Sequence, residues 1–106
     1  MSYDVRLVID TGGRQPAAVT ETHSPTYNLG AMFAEALGRP LRSLTDKTAE
    51  ECTPLLRKAI AAMEDEPARF KTLNPANGWG SYEGALQFLR SFQQDCANHP
   101  KARVEI

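Results

Sequence analysis

"KARVEI", residues 101–106, alternates Ala102, Val104 and Ile106 with the charged Lys101, Arg103 and Glu105. A period of two marks a strand with one buried face. Such a strand needs a sheet to join, because its backbone N–H and C=O groups must otherwise stay unpaired. The only other strand-like stretches stand near residue 1, so these six residues decide the fold. "YDVRLVID" (3–10) also alternates, with Val5, Leu7 and Ile9 inward and Asp4, Arg6 and Val8 outward. "TGGRQP" (11–16) reads as a turn, since Gly12 and Gly13 permit positive φ and Pro16 cannot donate to a ladder. "AAVTET" (17–22) returns as a weaker strand whose small and polar residues suit an edge. The expected sheet is three-stranded, antiparallel or mixed, with strand 3–10 in the centre and 101–106 beside it.

The intervening chain has helical periodicity. Leu29, Met32, Phe33, Ala36 and Leu37 form a stripe that Asn28 can cap and Gly38 stops. The other side of that helix (Gly30, Ala31, Ala34, Glu35) is hardly polar, which predicts cover on more than one side. Residues 48–66 carry a Thr48–Glu51 capping box, then Leu55, Leu56, Ala59, Ile60 and Met63 on one side. Pro54 either kinks this helix or restarts it with Thr53 as a second cap. "PARFKTL" (67–73) predicts a short helical turn begun by Pro67. The longest helix, 81–99, turns Tyr82, Ala85, Leu86, Leu89, Phe92 and Cys96 inward and stops at Pro100. The expected fold is α+β, in the order β-β-α-α-α-β. It forms a single domain over 1–106, with helices on one face of the sheet and the other face solvated.

Composition narrows the function classes. Twelve basic and 13 acidic residues give a net charge of −1, spread evenly along the chain. There is no basic stripe, so nucleic-acid binding through phosphate neutralisation is not expected. "MSYDVRLVID" lacks the basic and apolar regions of a signal peptide, and no apolar run reaches membrane-spanning length. Two cysteines, Cys52 and Cys96, do not make a disulfide framework, which points to reduced thiols and a cytoplasmic protein. Fourteen residues are alanine, while Leu, Ile, Val and Phe together number 21. That thin core predicts a homo-oligomer in which a subunit interface completes it.

Chemistry-bearing residues are sparse. His23, Ser24, Ser81, Glu83 and Asp10 are the polar candidates, yet no nucleophile, base and orienting group stand in a recognisable arrangement. Cys96 and His99 form a single C-x-x-H, half of what structural zinc requires, so neither metal nor other cofactor is expected. "IDTGGR" leads into a strand rather than a helix, the wrong context for a phosphate loop. What remains is "NPANGWGSYEG" (74–84) and the loop 23–28, each running into a helix N-terminus. Their aromatics Tyr27, Trp79 and Tyr82 and the loop arginines Arg14, Arg39 and Arg42 are the parts that hold a base and its phosphate. The expected ligand-binding set is Trp79, Tyr82, Tyr27, Asn28, His23, Asn77, Ser81 and Arg14. The alternative is structural: Trp79 plugs the core, and Asn74 and Asn77 form side-chain turns.

"YNLGAMFAEALG" together with the stretch from Leu73 to Ile106 resembles small proteins encoded by phages and prophages of actinobacteria. The shared pattern is Asn28, Leu29, Gly30 and Met32, then Asn77, Gly78, Trp79, Gly80, Tyr82 and Gly84. The resemblance implies an origin and not an activity. By analogy with accessory phage proteins it implies a non-catalytic binder that sequesters a nucleotide-like anionic ligand, such as a host immune signal. The alternatives are a modulator that binds and inhibits a host protein, and a small hydrolase.

Overall fold

A computed structural model describes residues 1–106. The strands are β1 (Arg6–Ile9), β2 (Ala17–Ala18) and β3 (Arg103–Glu105), joined antiparallel in the order β2-β1-β3. The helices are α1 (Gly30–Leu37), α2 (Ala49–Asp65), α3 (Pro67–Lys71) and α4 (Tyr82–Asn98). The fold is therefore α+β, with β1 central and β3 beside it. Alternation in 101–106 places Ala102 and Val104 in the core, with Ile106 packed against it. The far edge of β3 is closed by the segment before α2, where the Asp46 and Ala49 N–H groups donate to the Val104 and Ala102 carbonyls. On the other side of β1 the pairing outruns β2. Val5 pairs with His23 and Ser2 with Thr26, while the Thr20 hydroxyl stands in for a backbone acceptor of the Leu7 N–H.

Two positions in β1 depart from simple alternation. Val8 is fully buried although it faces away from the helices. Its cross-strand neighbours are Ala18 and Arg103, and the Arg103 guanidinium is anchored by Asp10 and Asp46. That anchoring keeps the arginine's aliphatic stem beside Val8. Ile9 is 43% exposed, because it pairs with Ala17 at the tip of the hairpin, where neither strand partner can cover it. The rest of the outer face is charged, led by the Arg6–Glu105 pair.

One cluster of 23 buried residues joins the inner face of the sheet to α1, α2 and α4. The capping box forms in full: the Thr48 hydroxyl accepts the Glu51 N–H, and the Glu51 carboxylate accepts the Thr48 N–H. These bonds hold the Glu51 carboxyl below its ordinary pKa. Helix α2 runs unbroken through Pro54, so Thr53 is not a second cap; its hydroxyl donates to the Ala49 carbonyl at 2.9 Å. The second side of α1 is only partly covered by the chain itself, with Gly30 and Ala34 half-buried and Ala31 and Glu35 exposed. The Tyr3 hydroxyl sits over Gly30, and Glu35 pairs with Arg69 of the α3 segment. No helix is long and apolar enough to cross a membrane.

Candidate functional site

The loop 74–81 is built by its own asparagines. Asn77 Oδ1 accepts the Trp79 N–H at 2.9 Å, a side-chain turn that mimics a backbone one. Asn74 Oδ1 reaches further, accepting the Tyr82 N–H at 2.8 Å in the first turn of α4. Ser81 caps that helix by accepting the Gly84 N–H at 3.1 Å. Gly80 has φ +119°, and a Cβ there would meet Thr26 Cγ2 at 2.9 Å and Leu29 Cγ at 3.0 Å. Only glycine allows both the dihedral and the approach, and it locks this loop onto the 26–29 segment.

Asn28 completes the junction. It is not the cap of α1: Thr26 caps a 3₁₀ turn over Tyr27–Leu29, and α1 begins after it with no side-chain cap. Asn28 instead donates to the Thr26 hydroxyl at 2.9 Å and accepts from Asn77 Nδ2 at 3.3 Å. Beside it, the Tyr27 ring stands edge-on to Tyr3 at 4.7 Å. The Arg42 guanidinium lies 5.3 Å from both ring centroids and donates to the Tyr27 hydroxyl at 2.8 Å. The result is a continuous surface of Arg42, Tyr27, Asn28, Asn77 and Trp79. Trp79 is 70% exposed, so it plugs no core.

Three residues of the sequence-derived set fall elsewhere. Tyr82 is 8% exposed and belongs to the core, its hydroxyl donating to the Met63 carbonyl at 2.7 Å. That bond satisfies one of the carbonyls left open at the end of α2. Arg14 sits in the β1–β2 turn, at the opposite end of β1 from the 23–28 loop. His23 faces α4: its Nε2 lies 2.7 Å from Asp95 Oδ2, and its ring stands edge-on to Phe88 and Phe92. No side-chain hydrogen bond joins His23 to Ser24 or Ser81, so no nucleophile is paired with it. Conversely, Tyr3 is missing from the set; its place in the strand pattern gave no sign of the arginine above it. Arg42 shows itself only in contrast with Arg39, whose Nε donates to Ser43 at 2.7 Å.

The surface is not a pocket. Two open grooves, of about 540 and 490 Å³, lie elsewhere. The larger runs between α2 and the end of α4, past Pro54, Arg57, Cys96 and Pro100; the smaller crosses the charged face of the sheet at Arg6 and Glu105. Both cysteines are fully buried free thiols, and desolvation pushes Cys52 up to about 11 and Cys96 up to about 12. Thiols in that state are poor nucleophiles and poor metal ligands. No group of three or more His, Cys, Asp or Glu side chains converges where it could hold a metal. Comparison of the chain with protein-family models, with curated proteins and with solved structures finds no match.

Proposed function

We propose that this is a non-catalytic binding protein that docks a protein partner through the Arg42–Tyr27–Asn28–Asn77–Trp79 surface. The observation that carries the reading is Trp79, the one tryptophan of the chain, held 70% exposed on a loop braced by an asparagine turn and a glycine contact. Exposing that much apolar ring to water is unfavourable, and Trp, Tyr and Arg are the residues that dominate protein–protein hot spots. A small ligand needs concavity to bury most of its surface, and this face offers none, which ranks nucleotide sequestration second. The likeness to actinobacteriophage proteins makes a host protein the proposed partner, and the cytoplasm the proposed place.

Affinity capture from an actinobacterial lysate with wild-type and Trp79→Ala baits tests the reading. The expected result is a protein retained by the wild type and lost from the variant. Identical profiles on both baits refute it. Mass spectrometry of the denatured wild type tests the second reading, since a released nucleotide would place sequestration first.

A further inference from the structure

We infer that the partner docks an acidic side chain, set beside an apolar one, on this surface, with Arg42 as its anchor and Trp79 as the apolar neighbour. The inference rests on the docking reading above and adds the chemistry of what docks. Four arginines of the chain, Arg6, Arg69, Arg90 and Arg103, lie against carboxylates. Arg42 is exposed and, like Arg14, Arg39 and Arg57, has none, but it alone of those four lies against aromatic rings, and its hydrogen bond goes to the neutral Tyr27 hydroxyl. The guanidinium carbon lies 5.3 Å from the centroids of both Tyr3 and Tyr27, contacts that remove part of the rotamer freedom an exposed arginine normally loses on binding. One N–H is used on Tyr27, and the remaining donors suit a planar oxyanion.

The rest of the surface is uncharged: Tyr27, Asn28, Asn77 and Trp79 follow one another through hydrogen bonds and chain continuity. Acidic groups of helices α1 and α4 are engaged elsewhere, Glu35 with Arg69 and Glu83 with Lys71. A patch with one held cation, no anion and one exposed indole complements a partner segment carrying Asp or Glu next to an apolar residue. The asparagines at the centre can bond the segment's backbone without selecting its sequence.

Panning a random-sequence peptide library displayed on phage against the wild-type protein, Arg42→Gln and Trp79→Ala tests this. The expected outcome is wild-type enrichment of peptides with an acidic residue beside an aliphatic or aromatic one. Arg42→Gln should weaken those peptides roughly tenfold to a hundredfold, as for one charge-assisted contact. Arg42→Glu should recover binding when the peptide's acid is changed to lysine, a rescue that a misfolded surface cannot give. Trp79-dependent peptides with no acidic enrichment, bound equally by Arg42→Gln, overturn the inference and leave the docking reading standing. No Trp79-dependent enrichment at all overturns both. A wild-type dimer in sedimentation that Trp79→Ala or Arg42→Gln dissolves also overturns it, because the occupant would then be a second copy of the chain.

Discussion

Trp79→Ala and Tyr82→Ala make a matched pair, two aromatics three positions apart with opposite fates. Trp79 is 70% exposed, so less than a third of its surface is out of water. Against a full burial of about 250 Å² for an aromatic residue, that is about 75 Å². At about 25 cal/mol per Å² it amounts to about 2 kcal/mol. The extended-chain reference inflates this figure and alanine keeps part of the contact, so the expected loss is about 1 kcal/mol. Tyr82 is 8% exposed and its hydroxyl holds the Met63 carbonyl. Its truncation should cost about 3–5 kcal/mol for the cavity, and an orphaned buried carbonyl adds to that. A domain of this size has roughly 5–15 kcal/mol in total. Urea titration followed by far-UV circular dichroism should therefore show a modestly shifted midpoint for Trp79→Ala and a largely unfolded Tyr82→Ala. Comparable losses in the two would refute the separation of rim from core on which the docking surface depends.

Other outcomes follow from the same geometry. Gly80→Ala should destabilise more than Gly78→Ala, since both have positive φ but only Gly80 has Thr26 and Leu29 within 3.0 Å of a new Cβ; thermal melts of the two variants decide it. Thr48→Ala should lose about 1 kcal/mol with its capping box, read by urea midpoint. Native Cys52 and Cys96 should resist a thiol-reactive disulfide reagent until urea unfolds the chain. Burial raises both thiols above 9.0, so the folded state holds its protons more tightly than the unfolded one. The stability they contribute is intact below that value and is lost as pH rises from it towards about 12. Substituting both with alanine should flatten that alkaline decline in the urea midpoint. Fluorescence of the one tryptophan should be readily quenched by acrylamide, and a bound partner should protect it.

What could be read from the residues was what local patterning controls. Period-two alternation placed Val5, Leu7, Ala102 and Val104, and Thr48–Glu51 located the start of α2. Tyr82 was legible too: its spacing with Ala85, Leu86 and Leu89 put it inside, and that periodicity outweighs its nearness to the tryptophan loop. Val8, Ile9 and Trp79 were not legible. Their exposure is set by neighbours far along the chain: the pinned arginine on β3, the short β2, and the packing of Gly80 on Thr26 and Leu29. The Arg42 perch on Tyr3 and Tyr27 is likewise a meeting of three distant segments, for which no local spacing stands as a signal.

The antiparallel pairing of β1 with β3 joins residues 99 positions apart, as in Arg6 with Glu105. On a ribosome adding roughly 5–20 residues per second, the central strand therefore waits about 5–20 seconds for its second neighbour. During that time β1 has only the short β2 and the strand-like return through Val19 and His23 to pair with, and Leu7 lacks its partner Val104. Helices α2 and α4 can associate earlier, but the sheet cannot close until β3 leaves the exit tunnel. A chain ending just before Arg103 would keep all four helices yet leave its central strand open on one side. Such a product is the natural prey of holdase chaperones and proteases, so quality control should discriminate sharply on the presence of Arg103–Glu105.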